Sequence, residues 1–163
     1  MIQIKQKGTG KVLAEVPGHT LEEADLQGVD LFWAELDHAS LIRANLAHAD
    51  LGYANLCEAQ LNFGNLTGAN LHCAKLAGAC LSRVILRDAI LSDADLKGAE
   101  FLGADLTGAD LSGADLTGAD FFGAVLENVR FDDRTRGVAS VTAQLNAAHE
   151  PVFNPAVFGE VGR

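Results

Sequence analysis

Proline is nearly missing from this chain. Its three copies, Pro17, Pro151 and Pro155, leave the whole stretch from Leu21 to Phe131 without one. Every backbone N–H in that stretch therefore remains a hydrogen-bond donor. Cysteine occurs three times, as Cys57, Cys73 and Cys80, an odd number with no CxxC spacing. That pattern argues against a disulfide framework and reads as free thiols in a reducing compartment. No apolar run is long enough to span a bilayer, and no charged-then-apolar segment follows Met1. The expectation is a soluble cytoplasmic protein with no membrane partner. Basic residues are also few: 12 Lys and Arg against 22 Asp and Glu give a net charge of −10. Residues 19–133 alone hold 19 acids and six Lys or Arg. A surface of that sign does not bind nucleic acid by neutralising phosphates, although it can attract the basic groove of a protein.

What is present is a strict period of five. Leu or Phe recurs at every fifth position from Leu21 to Phe131, giving 23 consecutive pentapeptides, 18 of them with Ala two places earlier. On an α-helix five residues advance the angle by about 500°, which scatters the leucines around all faces. On a flat strand an odd period sends alternate leucines to opposite faces. The period therefore requires a turn in each pentapeptide, so that every Leu and its Ala at i−2 point inward together. Turns of one sense wind the chain into a solenoid, each coil burying its face on its neighbours. Periodicity alone allows three or four sides. The unit is plain in Ala24-Asp25-Leu26, Ala44-Asn45-Leu46 and Ala69-Asn70-Leu71, and is nearly pure from Ala104 as ADLTG, ADLSG, ADLTG and ADFFG. Short Asp, Asn, Ser and Thr can bond local backbone at a corner, and Gly tolerates its dihedrals.

These A(D/N)LXX units, dense over residues 19–133, resemble the pentapeptide-repeat family. The resemblance implies an all-β fold, a right-handed quadrilateral β-helix with four pentapeptides per coil. The ends depart from the repeat. Residues 1–18 read as a hairpin cap, with strands Ile2 to Lys7 and Lys11 to Val16 around Gly8-Thr9-Gly10. Gly10-Lys11 lacks the spacing and the following helix of a phosphate loop, so no nucleotide site is assigned. Residues 134–163 read as a partly helical C-terminal cap. Val138, Val141, Leu145 and Ala148 follow helical spacing, and Val152, Phe153, Val157 and Phe158 are apolar enough to fold back over the end. The protein is then a monomer, or a homodimer paired through this segment as in some members of the family.

Under the four-sided reading, positions twenty apart stack. Trp33 then lies under Tyr53, with Phe32 beside them and His72-Cys73 one coil further on. Exposed Trp and Tyr are typical interface anchors, so Phe32, Trp33 and Tyr53 are candidate partner contacts. On the opposite side Arg43, Phe63 and Arg83 align, an arrangement that permits a cation–π ladder. His38 stacks on Glu58, but the spacing belongs to no ligand motif and no metal is assigned. Asp30 stacks on Asp50, Asp95 on Asp115 and Glu100 on Asp120, so the rod presents carboxylates. The resemblance gives these a second meaning, because the family includes bacterial proteins that imitate DNA, bind gyrase and protect it from quinolones. Asp95, Asp105, Asp110, Asp115 and Asp120 are the candidates for such a face. Nothing marks an enzyme: no nucleophile has a recognisable base, and a Leu-filled coil has no cavity. No cofactor is implied. The leading reading is a non-catalytic protein-binding or scaffolding module of unidentified partner, and the alternative is a topoisomerase-directed DNA mimic.

Overall fold

The structure, a computed structural model, describes residues 1–147. The expected C-terminal fold-back of Val152, Phe153, Val157 and Phe158, and any pairing through it, lie outside the described residues. Strands β1 (Ile2–Gln6) and β2 (Val12–Val16) form an antiparallel hairpin, β3 (Ala34–Glu35) is a two-residue strand, and helix α1 spans Val138–Ala147. Between them the chain winds in coils of four pentapeptides. Of nineteen parallel bridges, eighteen join residues twenty apart, from Asp25 with Asn45 to Asp110 with Arg130. The last joins Asp115 to Arg136, twenty-one apart. One residue is inserted there, in the turn where the Thr135 N–H donates to Asp132. The coil ladder thus extends three residues beyond the 133 boundary that periodicity suggests.

The repeat sequence is explained by where its five N–H groups go. With Leu71 as the central residue, the Leu71 N–H donates to the Ile90 carbonyl of the next coil, and the Asn70 N–H donates to the Ala49 carbonyl of the previous one. The Cys73 N–H donates to Ser92 O, also between coils, and the Ala74 N–H closes the turn on Leu71 O. The remaining N–H, on His72, donates to the Asn70 side-chain oxygen at 3.1 Å. Asp50, Asp105, Asp110, Asp115 and Asp120 serve the N–H two places on in the same way. Asp or Asn therefore precedes Leu because its short side chain satisfies the one backbone donor that the ladder leaves over.

Inside, the leucine and alanine columns are fully enclosed: Leu31, Leu51, Leu71, Leu91 and Leu111 each have 0% exposure. No polar or charged residue is buried among the described residues. Phe101 and Phe121 replace Leu in one column and stack at 4.6 Å with an interplanar angle of 9°.

Each end of the coil meets a different element. Strand β1 pairs with β3 through Lys5 with Glu35 and Gln6 with Ala34, and the Lys7 N–H donates to Trp33 O at 2.8 Å. These bonds use edge groups that have no earlier coil to meet, while Ile4 and Val16 bury their side chains against the core. At the other end α1 follows Gly137, whose φ is +81°. A Cβ there would lie 2.6 Å from the Leu116 carbonyl carbon, so only Gly allows the chain to pass this close. Val141 is buried. The Gln144 side chain accepts from the Phe121 N–H at 2.7 Å and donates to Ala119 O at 3.0 Å. One amide group thus takes the place of the backbone of a further coil. Among the described residues no helix is long and apolar enough to cross a membrane.

Two substitutions separate the core from the turn. Leu71→Ala is expected to lower stability by about 2–5 kcal/mol through lost burial and a residual cavity. Gly98→Ala, at a φ of +64° with open space around it, is expected to lower it by about 1–2 kcal/mol through backbone strain alone. Urea unfolding followed by circular dichroism orders the two.

Candidate functional site

The residue two places after each central Leu has positive φ, the type II turn signature that normally selects Gly. Thirteen non-glycine residues occupy this position, among them Trp33 at +61°, Tyr53 at +57°, Phe63 at +61° and Cys73 at +55°. An L-residue here costs about 1–2 kcal/mol relative to the right-handed conformation. In the later coils the position reverts to glycine at Gly98, Gly103, Gly108, Gly113, Gly118 and Gly123. The N-terminal half of the rod thus holds large side chains on strained backbone where the other half does not.

The largest of these form one patch. Trp33 and Tyr53 stack at 5.0 Å with an interplanar angle of 11°. Phe32 meets both edge-on, at 6.3 Å and 5.5 Å, and His72 meets Tyr53 edge-on at 5.6 Å. Gly52 makes room for this packing, since a Cβ there would sit 2.9 Å from the Phe32 ring. The cluster still exposes 36% of Phe32, 41% of Trp33 and 37% of Tyr53. The expected stack of Trp33 on Tyr53 is therefore present, and Phe32 joins it. The opposite side is less continuous than the ladder expected from spacing. Arg83 sits 5.9 Å above the Phe63 ring, but Arg43 turns away to pair with Glu23 at 3.4 Å. A carboxylate within reach draws the guanidinium more strongly than a ring face does.

The carboxylates are placed differently from a single acidic face. Asp95 stacks on Asp115, and Glu100 on Asp120, as spacing implies. However, Asp105, Asp110, Asp115 and Asp120 are successive pentapeptides of one coil, so they belong to four separate columns and do not form a row. Most are also compensated. Arg87 holds Asp105 at 2.6 Å, Arg130 holds Asp110 at 2.8 Å, and Lys97 and Arg136 hold Asp115 at 3.4 and 3.3 Å. At Asp105 and Asp110 partial burial opposes ionisation. Bonds from Thr107 and Ser112, with Arg87 and Arg130 beside them, outweigh it and keep both acids below the usual carboxylate range.

A third cluster adjoins the aromatic patch. His72, Cys73 and Asp93 place one ligand-type atom each within 4.8 Å of one another. The sequence reading weighed His38 with Glu58 instead, a pair that does meet at 3.2 Å on an open surface. The twenty-residue register that puts Cys73 beneath Asp93 was the signal that could have found this group. Its geometry is specific. His72 Nδ1 lies 3.0 Å from Ser92 O and 2.9 Å from its hydroxyl, and Cys73 Sγ lies 3.3 Å from His72 Nε2. The neighbouring Cys73 sulfur, with a smaller contribution from burial and Asp93, pushes the Tyr53 phenol above its ordinary pKa. Arg134 holds Asp93 at 2.8 Å, and Gly113 leaves space that a Cβ would take from that carboxylate.

The cleft between β2 and the first coil, about 380 Å³, is lined in part by Glu15, Glu22, Glu23 and Asp25 and contains no histidine or cysteine.

The family model described as pentapeptide repeats (8 copies) matches three overlapping or adjoining segments, residues 24–62, 53–88 and 89–128. Among solved structures, HetL, a pentapeptide repeat protein involved in heterocyst differentiation regulation from the cyanobacterium Nostoc sp. strain PCC 7120, is 34% identical with a TM-score of 0.54. The match covers 66% of this chain and 60% of HetL, so the chain spans less than two thirds of that relative. A pentapeptide repeat protein of the Arabidopsis thaliana thylakoid lumen is 30% identical over 66% of this chain and 71% of its own, at a TM-score of 0.41. QnrB1, a plasmid-mediated fluoroquinolone resistance protein, is 16% identical over 86% of this chain and 96% of its own, at a TM-score of 0.35. No curated protein matches the chain.

The turn at Asp132 generates a pH prediction. Desolvation opposes ionisation of this carboxylate, but the Gly113 N–H, Arg134 and the Thr135 hydroxyl outweigh it and lower its pKa from 3.8 to about 2. A depressed acid stabilises the fold above its unfolded pKa and loses that contribution as pH falls through the folded one. The Gly113 amide resonance is therefore expected to titrate with a midpoint near about 2 rather than 3.8, and to lose the transition in Asp132→Asn. Nuclear magnetic resonance across the acid range measures it.

Proposed function

The chain belongs to the pentapeptide-repeat family, and from that premise we propose that it is a non-catalytic protein-binding or scaffolding module working in the cytoplasm. We read the rod as right-handed and four-sided, closed by the hairpin at one end and by α1 at the other. The twenty-residue ladder, the pairing of β1 with β3 and the Gln144 bonds support this reading. The observation that carries the functional proposal is the exposed Trp33–Tyr53 stack held on left-handed backbone. Gly at both positions would relieve the backbone, and stacking recovers only about 0.5–1.5 kcal/mol beyond area burial. Stability alone therefore gives little reason for these residues, whereas a partner surface does: large, rigid aromatics bind with little loss of side-chain freedom.

The second reading, an acidic DNA mimic directed at a topoisomerase, draws on the stacked Asp95 with Asp115 and Glu100 with Asp120. Lys97 and Arg136 neutralise much of the first pair. A phosphate-like surface needs carboxylates free to meet a partner's cations, so this reading stands second.

The test uses Trp33→Gly with Tyr53→Gly, which removes both rings while easing the turn. The double variant is expected to keep its fold, with stability changed by no more than about 1–2 kcal/mol. It is expected to lose capture of the partner that the native chain takes from a bacterial lysate with weak salt dependence. Equal capture by both proteins ends the aromatic-patch reading. In parallel, the native chain is expected to leave DNA gyrase supercoiling unaffected at micromolar concentration. Inhibition that disappears in Asp95→Asn, Glu100→Gln, Asp115→Asn and Asp120→Asn combined would put the DNA-mimic reading first.

A further inference from the structure

We propose that His72, Cys73 and Asp93 form a binding site for a single Zn²⁺ ion on the side of the rod, next to Tyr53. Two of the three ligands already stand in a liganding relation, with Cys73 Sγ 3.3 Å from His72 Nε2. A tetrahedral zinc site with Zn–S near 2.3 Å and Zn–N near 2.0 Å spaces its ligand atoms roughly 3.3–3.8 Å apart. The whole triad lies within 4.8 Å. Because the Cys–His separation is already short, any closure falls to Asp93, whose exposed carboxylate pairs with Arg134 through one oxygen at 2.8 Å and keeps its second oxygen for a metal.

The surroundings set the chemistry of each ligand. His72 Nδ1 faces both Ser92 O at 3.0 Å, which only accepts, and the Ser92 hydroxyl at 2.9 Å, and the tautomer protonated at Nδ1 is the one that binds a metal through Nε2. That leaves the Nε2 lone pair directed at Cys73, the orientation that metal-bound histidines obtain from a second partner. On binding, the metal ion displaces the Cys73 thiol proton: one S–H bond breaks, one Zn–S bond forms, and one proton leaves to solvent. Arg134 and the space left by Gly113 hold Asp93 over the pair. Thiolate, imidazole and carboxylate together suit Zn²⁺, rather than the all-oxygen sets of Ca²⁺ and Mg²⁺. Three protein ligands leave a fourth position open toward solvent. The backbone supports the same assignment, because Cys73 and Asp93 both occupy the left-handed turn position, at +55° and +57°. Adjacent coils thereby project their side chains in parallel.

Cobalt serves as the probe. Titration of Co²⁺ into the reduced protein is expected to produce a thiolate-to-metal charge-transfer band that saturates at one equivalent and vanishes on adding Zn²⁺. Cys73→Ser is expected to abolish the band. His72→Ala and Asp93→Asn are expected to weaken Co²⁺ binding by more than about 10-fold. Cys57→Ser, Cys80→Ser and His38→Ala are expected to leave it unchanged. Far-ultraviolet circular dichroism of each variant checks that the coil is retained. No band from the native protein, a band that survives Cys73→Ser in a folded variant, or an affinity unaffected by Asp93→Asn would overturn the assignment. Because the readout is metal binding alone, the result is separate from the capture experiment on the aromatic patch.

Discussion

Everything in this molecule depends on the hydrogen bonds that run from each coil to the next. Three of the five N–H groups in the Leu71 unit cross between coils, one closes its turn, and the last falls to a side chain. That distribution leaves no room for proline, places Asp or Asn before Leu, and selects a positive φ two places after it. It also makes the interior apolar, since the buried backbone groups satisfy one another and leave no polar partner for an inward side chain. The fold is therefore less a packing of separate elements than one repeated solution to the pairing of backbone groups.

Once backbone and core are settled by the repeat, the outer positions are released from structural duty. What the chain does with them differs along its length. The early coils set Trp33, Tyr53, Phe63 and Arg83 on the outside, whereas the later coils settle for glycine in the turn and acids before Leu. Side chains at equivalent positions of neighbouring coils are held parallel and close. A surface assembled this way can align rings face to face, or bring a thiol, an imidazole and a carboxylate together, without any loop to position them.

Much of this was legible in the sequence, because a fixed register converts numbering into contact. The stacking of Trp33 on Tyr53, of His38 on Glu58 and of Asp95 on Asp115 followed from a spacing of twenty. The hairpin was legible from its two apolar runs around Gly8-Thr9-Gly10, and α1 from the spacing of Val138 and Val141. Long side chains were not legible, since they reach diagonally. Lys97 bridges Asp95 and Asp115, and Arg134 crosses to Asp93, forty-one residues away. Arg43 stacks in register with both Glu23 and Phe63, and spacing alone does not say that the carboxylate outcompetes the ring. The inserted residue before Arg136 and the role of Gln144 lie where the period stops, and there the sequence has no ruler.

The near-identity of the units from Ala104 to Gly123 has a consequence for how such a gene can change. Those four units make one whole coil, so adding a copy of it keeps the twenty-residue ladder and the Leu columns and lengthens the rod by one coil, while pairs such as Arg87–Asp105 and Arg130–Asp110 come to lie on different copies. The aromatic patch and the inserted turn are single-copy features and do not survive such an edit within their own segments. Length can thus change by a whole coil at this point of the rod without disturbing the register on either side.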